Sequence, residues 1–328
     1  MRNTKEITSI RHFRPLEELN LIDNFLFQTI VSQGEDGEEF CRIILSTILG
    51  KPIRKVRVVA QQSILGVDTE QHGIRLDAYV EDISDEETLA GCEMADAEVV
   101  PDIYDIEPNN DYKRKTLPKR MRYYHGLIDS KQLHSGVDYE KLPRVIIIVI
   151  LPYDPFGQNR MVYTVKNQCV EDTSIAYEDG ARKIFLYTKG TEGNPSQSLR
   201  DMLKYIEDTN SDNITNEDIH TIHEFVEKAK HRKEVGIQYM RLWEEEYRIK
   251  KEAREAGWAE GREEGLTLGR EEGIKEGIKE GIKEGIKATV EVCQSLHASQ
   301  DDTKIMISEK FKIPTEEAQG YVEAYWKA

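Results

Sequence analysis

The stretch GIRLDAYVED (residues 73–82) places a carboxylate inside a pattern that is otherwise typical of a β-strand. Successive side chains of a strand point to opposite faces of the sheet. One face is therefore predicted to carry Leu76, Ala78 and Val80, and the other Arg75, Asp77 and Tyr79. Asp77 interrupts the apolar character of the strand and is the first candidate for chemistry.

The next strand-like stretch, DIYDIEPNN (residues 102–110), carries the second candidate carboxylate. Its two-residue period places Asp105, Glu107 and Asn109 on one face. We expect Asp77 and Glu107 to lie side by side at a strand end and to hold Mg²⁺ or Mn²⁺, which prefer oxygen ligands. These residues alone are equally compatible with a solvated face on which Asp77 pairs with Arg75 or a neighbouring lysine.

The flanking sequence predicts an α/β core around these strands. A strand-like run, IRKVRVVA, begins at Ile53, and the apolar run RVIIIVIL from Arg144 predicts a strand buried on both faces. A helix rich in Arg and Tyr, with Pro118 in or near its first turn, lies between the Glu107 strand and this run. The last of these strands is thus expected to be reached by a helical crossover. Two further strands are predicted at residues 161–165 and 183–187.

The remaining pattern is mostly helical. Apolar residues at helical spacing predict helices at residues 21–31 and about 38–49, the second closed by Gly50. The acidic stretch at residues 82–100 is interpreted as a mobile loop or an insertion between two strands. One long helix or two is predicted at residues 216–259, and two short helices at residues 301–326.

Several blocks, in this order and spacing, resemble the signature blocks of the Rpn family of recombination-promoting nucleases, a putative-transposase family of the PD-(D/E)XK superfamily. The blocks are DNFLFQ, GIRLDAYVED, YDIEPNN, LPKRMRYYHGLIDS and YDPFG, and they span about residues 22–189. The resemblance implies a restriction-endonuclease-like core, a mixed central sheet flanked by helices, followed by an all-helical C-terminal region. It also implies a divalent metal and DNA cleavage. Asp77 corresponds to the acidic residue of the second core strand, and Glu107 to the Glu of the (D/E)xK strand.

The chain departs from the family pattern at the third motif position, which is usually Lys or Gln and is Asn109 here, after Pro108. Asparagine can hydrogen-bond the attacking water but cannot supply positive charge or act as a base. Lys113 or Lys119 is a candidate to supply that charge from a neighbouring element. Pro101-Asp102 is not the motif pair, because Asp102 and Glu107 are an odd number of residues apart and so face opposite sides of a strand.

A basic segment follows the Glu107 strand directly. The sequence KRKTLPKRMR (residues 113–122) has six basic residues in ten, although the whole chain has a net charge of −16. Beside the carboxylates these side chains could neutralise DNA phosphates; otherwise they form a solvated face. The candidate DNA-binding residues are Lys113, Arg114, Lys115, Lys119, Arg120 and Arg122.

Asp23 is a supporting candidate, on a helical stripe with Leu26, Phe27 and Ile30. An inward-facing carboxylate is costly unless it is paired or near a metal. The alternative is a first-turn carboxylate stabilised by the helix dipole. The resembling family carries an Asp at this place in its first helix, which favours a role near the site.

The tail contains a four-residue repeat. Eight glycines recur at this interval from Gly257 to Gly285, ending in four copies of EGIK (residues 272–287). On an α-helix the glycine stripe advances about 40° per repeat, and each glycine costs about 1 kcal/mol relative to Ala. Small residues at this spacing let two helices approach closely. The repeat therefore indicates either self-association as a homo-oligomer or a marginal helix grown by duplication.

The bulk composition is that of a charged, soluble protein, with 32% charged residues and no run of 18 apolar residues. The N-terminus lacks an apolar signal core, so a cytoplasmic protein without membrane contact is expected. The four cysteines show no CxxC or Cys/His pairing, which disfavours a zinc site and a disulfide framework.

Two functions remain open at this point. The first is a Mg²⁺-dependent (or Mn²⁺-dependent) endonuclease acting on double-stranded DNA, with Asp77 and Glu107 as metal ligands. The second is a nuclease-like fold that no longer cuts and serves as a DNA- or protein-binding scaffold. The predicted organisation is a nuclease-like domain at residues 1–190, a helical region at 191–256, the repeat helix at 257–288 and a small helical segment at 289–328.

Overall fold

The computed structural model describes residues 14–64, 74–84, 100–110, 112–133 and 135–326. The chain divides into two compact units, Met1–Trp243 and Glu244–Ala328. The predicted insertion at residues 82–100 lies almost wholly outside the described residues, as does Cys92. Cys41, Cys169 and Cys293 are free thiols. No helix among the described residues is long and apolar enough to cross a membrane.

The first unit is built around a six-stranded mixed sheet with the strand order β1-β2-β3-β4-β6-β5. The strands are β1 (Val56–Ile64), β2 (Ile74–Asp82), β3 (Asp102–Pro108), β4 (Val145–Leu151), β5 (Val162–Lys166) and β6 (Ala181–Tyr187). The helices of this unit are α1 (Asn24–Val31), α2 (Glu35–Leu49), α3 (Leu117–Gln132), α4 (Gln197–Glu207) and α5 (Glu217–Lys230). An α/β fold with a mixed sheet is thus confirmed.

The strand pairing follows from the connections. β1, β2 and β3 are antiparallel neighbours, whereas β3 pairs with β4 in parallel after the chain has crossed over through α3. β4 pairs with β6 in parallel, and β5 is antiparallel to β6 at the sheet edge. Every residue of β4 is buried, as its uninterrupted apolar sequence predicts. The predicted helical crossover before β4 is therefore confirmed.

Helices cover both faces of the sheet. On one face, Ala78, Val80, Ile106 and alternate residues of β4 pack against apolar residues of α1, α2, α4 and α5. On the other face, Tyr79, Ile103 and the intervening residues of β4 pack against Leu117, Met121 and Ile128 of α3. The face covered by α3 carries the odd-numbered residues of β3, which are the predicted site positions.

Two local predictions differ from the structure. The first helix begins at Asn24 rather than at residue 21, because the backbone of Asp23 is extended (φ −81°, ψ 120°). The N–H groups of Leu21 and Ile22 before it donate to Thr209 Oγ1 and to the carbonyl of Ile206. Leu76 was predicted to share a face with Ala78, but it packs in the cluster on the α3 side. The change of side occurs next to Gln61, whose left-handed backbone (φ +53°) turns β1 opposite this part of β2.

The repeat of the second unit is helical throughout. It belongs to α6 (Lys233–Ser295), a helix that starts in the first unit and is followed by α7 (Gln300–Phe311) and α8 (Thr315–Tyr325). The two short C-terminal helices are thus confirmed. The end of α6 packs on them through Ile286 and Val290. A Cβ on Gly285 would lie 3.1 Å from the Phe311 ring, whereas Cβ atoms on the seven earlier glycines would meet no atom within 4 Å.

Candidate functional site

Asp77 on β2 and Glu107 on β3 lie side by side, as the strand period predicts. The backbone N–H of Asp77 donates a hydrogen bond of 2.9 Å to Oε1 of Glu107. The two residues stand one position beyond the last ladder pair, Ala78 and Ile106. Both are buried, with 7% and 6% of their surface exposed. The Glu107 carboxyl therefore accepts the first backbone N–H of β2 that lies beyond the β2–β3 ladder.

Asp105 brings a third carboxyl into this group. It stands two residues before Glu107 on β3 and is fully buried, and no N–H or hydroxyl group among the described residues donates to its carboxyl oxygens. Its hydrogen-bonding neighbour is the Glu107 carboxyl, another acid. A buried carboxyl without a donor is strongly unfavourable when it is ionised. The sequence period had placed Asp105 on the correct face, but nothing in the pattern separated it from a surface acid.

Burial and mutual repulsion raise the pKa values of all three carboxyls. Burial raises the pKa of Asp77 to about 6, against the lowering effects of a hydrogen bond from Gln28 and of the Arg75 and Arg120 charges. Burial and then the charge of Asp77 hold the pKa of Asp105 well above its usual range. The pKa of Glu107 is raised in the same way by burial and by the charges of both neighbours. Such a group of perturbed acids is typical of a functional site.

The Asp77 side chain is also held from the opposite side. Gln28 on α1 donates a hydrogen bond from Nε2 to Oδ1 of Asp77, and its Oε1 accepts a bond of 2.7 Å from Nε2 of Gln61. The Arg75 guanidinium donates to Oε1 of Gln61. These four residues come from α1, β1 and β2, so a continuous chain of hydrogen bonds ends on the site carboxylate.

The cation that α3 supplies to the carboxyls is Arg120. Its charge lowers the pKa values of both Asp77 and Glu107, and it is half-buried over the ring of Tyr124, with 6.0 Å from its guanidinium carbon to the ring centroid. Burial, followed by the Glu107 charge, raises the pKa of Tyr124 to about 12. The Lys113 and Lys119 side chains are both exposed.

Asn109 follows β3 and is buried at the same sheet edge. Its backbone N–H donates a bond of 2.8 Å to the carbonyl of Ile150 on β4. The next residue, Asn110, donates from its side chain to the carbonyl of Ile22, just before α1. The backbone of Asn109 is thus held against β4, and the residue that follows it is bonded to the segment before α1.

The predicted basic segment occupies the turn before α3 and its first turns. Its Lys113, Arg114, Lys115, Lys119 and Arg122 side chains are exposed, and the Arg114 guanidinium lies over the Tyr153 ring at 5.6 Å. Among the six basic residues of this segment, Arg120 alone is half-buried, and its charge acts on Asp77 and Glu107. The exposed cations form a basic rim next to the site.

Asp23 lies directly before α1, with an extended backbone. Its carboxylate accepts hydrogen bonds from Arg14 at 2.6 Å and from the backbone N–H of Asn20 at 2.9 Å. No side-chain hydrogen bond joins Asp23 to the first turn of α1. Arg14 is its ion-pair partner.

A second polar group lies on the same sheet face, further along α3. His125 is buried, its Nε2 is 3.6 Å from Oδ2 of Asp129, and its Nδ1 has no partner among the described residues. Burial, then the Lys183 charge, lowers the pKa of His125 to about 4, and burial raises the pKa of Asp129 to about 6. This group is separate from the three carboxyls.

No family model, curated protein or solved structure matches the chain. Its chemistry is therefore inferred from the residues themselves. Among the described residues, no three His, Cys, Asp or Glu side chains are arranged to enclose a metal ion. Magnesium does not need such a cage, since it is usually bound by one or two carboxylates and keeps several waters. The all-oxygen donor set, with an Asp105 carboxyl to which no N–H or hydroxyl group among the described residues donates, fits a hard divalent cation.

Proposed function

We propose that the first unit is a Mg²⁺- or Mn²⁺-dependent endonuclease of double-stranded DNA, with a PD-(D/E)XK core of the recombination-promoting, transposase-like type. The observation that carries the proposal is the group of three buried carboxyls, Asp77, Asp105 and Glu107, on neighbouring strands. A purely structural core gains nothing from three acids that repel one another and lack a buried counter-charge equal to theirs.

Asp77 and Glu107 would hold the cation, with Asp105 beside them. A divalent ion bound there polarises a phosphodiester and lowers the pKa of a bound water. The chain's own contribution is to keep the carboxylates in place through the Asp77 N–H, Gln28 and the neighbouring strands. Arg120 would contribute the positive charge that Asn109 cannot provide, because its charge lowers the pKa values of both Asp77 and Glu107.

The DNA backbone would lie against the start of α3. Phosphate contacts require exposed cations, and the basic rim provides them at Lys113, Arg114, Lys115, Lys119 and Arg122. Phosphate contacts position a protein on DNA without reading its sequence. We therefore assign these residues to backbone binding and none of them to base recognition.

A plasmid-nicking assay in Mg²⁺, Mn²⁺ or EDTA tests the proposal. Wild-type protein should nick supercoiled DNA with either metal and not with EDTA, and Asp77→Ala and Glu107→Ala should abolish nicking while DNA binding persists. Glu81→Gln is the matched control, because Glu81 lies on the same strand as Asp77 and pairs with Arg57 at the surface. Near-normal nicking by either alanine variant would remove that residue from the site.

The alternative function is a catalytically impaired scaffold that binds DNA or protein. Asn109 favours it, because a metal site without a charge at this position stabilises the developing phosphorane less. In this case the wild type is inert in every metal and Asn109→Lys restores weak nicking. For an active enzyme, Asn109→Lys changes the rate little.

We further propose that the second unit joins copies of the chain into a homo-oligomer. The side chains of α6 from residue 250 to residue 284 are exposed, including Ile274, Ile278 and Ile282, which are 55%, 59% and 40% exposed. Ile286 and Gly285 of the last repeat are covered by α7 and α8. This contact illustrates how an apolar helix packs on the repeat, and equal numbers of Glu and Lys in EGIK make the repeat compatible with a second copy of itself.

A further inference from the structure

We infer that Gln28 and Gln61 form a hydrogen-bond relay that orients the Asp77 carboxylate for metal binding. The inference deepens the proposed function and rests on it. Gln28 and Gln61 are positioning residues in this scheme, since only Asp77 would touch the cation.

The direction of the relay is determined by its two ends. An arginine guanidinium only donates hydrogen bonds and an ionised carboxylate only accepts them. Gln61 must therefore present its Oε1 to Arg75 and its Nε2 to Gln28. Gln28 in turn must accept at Oε1 and donate from Nε2 to Asp77. Both amides have one allowed orientation, and their dipoles favour the ionised form of Asp77, which is the form that binds a metal.

The backbone is shaped to make these contacts. Gln61 stands opposite Asp77 in the β1–β2 register, between the pairs Ala60–Ala78 and Gln62–Leu76, and the ladder omits this one position. Its φ of +53° is left-handed, which is uncommon for a residue other than glycine. Strained residues of this kind cluster where function requires a side chain in a particular place. The conformation brings the Gln61 amide to Gln28 on α1.

Burial alone does not demand the relay. Gln28 and Gln61 line a cavity of about 610 Å³, together with Thr29, Ser32 and residues near the start of α6. Water in this cavity could satisfy amide groups that had no protein partner. Burial alone therefore does not require the two amides to bond each other. We attribute their alignment to the position of Asp77.

The experiment is calorimetric titration of the full chain with Mn²⁺ in the absence of DNA. Gln28→Met keeps the length of the side chain and removes the amide, and it should weaken Mn²⁺ binding about tenfold or more, as for other residues that support a metal ligand. Gln61→Met should weaken it in the same direction and serves as the second variant if Gln28→Met folds poorly. Gln62→Met is the matched control, because the neighbouring Gln62 bonds the carbonyl of Ser63 and should bind Mn²⁺ as the wild type does.

The outcomes separate the relay from the function on which it rests. Mn²⁺ binding that is lost in Asp77→Ala but unchanged in both Gln28→Met and Gln61→Met would overturn the relay alone. A wild type that binds no Mn²⁺ would overturn the metal site and the relay together. In EDTA, Gln28→Met should lower the melting temperature in the wild-type background and not in the Asp77→Ala background. Equal lowering in both would show a packing role and overturn the inference.

Discussion

Glu107 accepts the backbone N–H of Asp77 at 2.9 Å, so one carboxyl of the group fixes the strand that carries another. A change in the charge of Glu107 therefore alters a hydrogen bond of the β2 backbone. We expect the free energy of unfolding of the first unit to respond to changes in the three carboxyls.

Asp105→Asn is expected to stabilise the protein in EDTA. It removes a buried carboxyl that no N–H or hydroxyl group among the described residues donates to, and whose pKa is raised by burial and by Asp77. A carboxyl with a raised pKa costs stability as the pH rises above its unfolded-state pKa, so the gain should be larger at pH 8 than at pH 5. Urea unfolding at both pH values measures it, with Glu81→Gln as the surface control. A loss of stability in Asp105→Asn would contradict the account of this residue.

Arg120→Met is expected to slow metal-dependent nicking by about a hundredfold, since electrostatic support of the transition state is commonly worth a few kcal/mol. Lys119→Met is the adjacent control on the same helix, and it should reduce DNA binding slightly with little effect on the rate of bound complexes. Single-turnover kinetics at saturating protein separate the two effects. If Lys119→Met or Lys113→Met slowed the chemical step and Arg120→Met did not, a lysine would supply the charge.

Lys119→Ala and Arg122→Ala should weaken DNA binding equally for unrelated sequences. Each lost phosphate contact should also reduce the slope of log affinity against log salt by about one. Fluorescence anisotropy with two duplexes at several salt concentrations provides the measurement, and Lys141→Ala, outside the basic segment, is the control. Unchanged affinity in both variants would show that this segment is only a solvated face.

The pH dependence of stability should reveal the His125–Asp129 group. The pKa of His125 is lowered to about 4, so its contribution is present above pH 6.5 and is lost as the pH falls towards 4. The pKa of Asp129 is raised to about 6, so it contributes with the opposite sign over much of this range. Asp129→Asn should remove the compensation, and its free energy of unfolding should then fall by roughly 2–3 kcal/mol more than that of His125→Gln/Asp129→Asn between pH 7 and pH 4. The Asp77, Asp105 and Glu107 carboxyls titrate in both variants, so their effect cancels in this difference.

Chemical denaturation of Asp129→Asn and of the double variant His125→Gln/Asp129→Asn at several pH values tests this account. The double variant should lose most of the added acid sensitivity. The charges of Lys183 and Asp179 act on the same group and remain in every variant. An acid sensitivity that is the same in Asp129→Asn and in the double variant would rule out His125 as its source.

Alanine at Gly265, Gly269 and Gly273 should distinguish self-association from a marginal helix. In an isolated helix each replacement stabilises the helix by up to about 1 kcal/mol and leaves the protein monomeric. In an oligomer the added methyl groups separate the helices, and sedimentation should show smaller species, as should truncation at Gly257. Gly320→Ala is the control, since it also lies in a helix with open space around it. Equal monomer masses for the wild type and the truncation would refute the proposed assembly.

Much of the fold could be predicted because its signals are local. The apolar run of β4 and the alternation in β2 and β3 depend on burial of individual side chains. The period marked Asp77 and Glu107 as candidates, and the antiparallel register of β2 and β3 places them next to each other. The sequence also indicated which basic residue of α3 would be near the carboxyls. Leu117, Met121 and Ile128 define the buried face of α3, and Arg120 lies beside this face whereas Lys119 does not. That signal was available before the structure.

The contacts of Gln28 and Gln61 could not be predicted in this way. They depend on a left-handed residue in the middle of a strand, and glutamine gives no local indication of that conformation. The role of Asp105 was hidden for a different reason. Its position on the correct face was evident, but a strand pattern does not show whether an N–H or hydroxyl group will reach a buried carboxyl.

The left-handed backbone of Gln61 has a further consequence for β1, which is the first strand in the order of the sheet that the described residues form. A regular edge strand offers its free N–H and C=O groups to any extended chain, and this is how sheets add strands and aggregate. Irregular backbone geometry within an edge strand disrupts that hydrogen-bonding register. Gln61 thereby also shortens the part of β1 on which a strand of another chain could pair. The backbone conformation that directs its amide towards Asp77 thus also disfavours aggregation through β1.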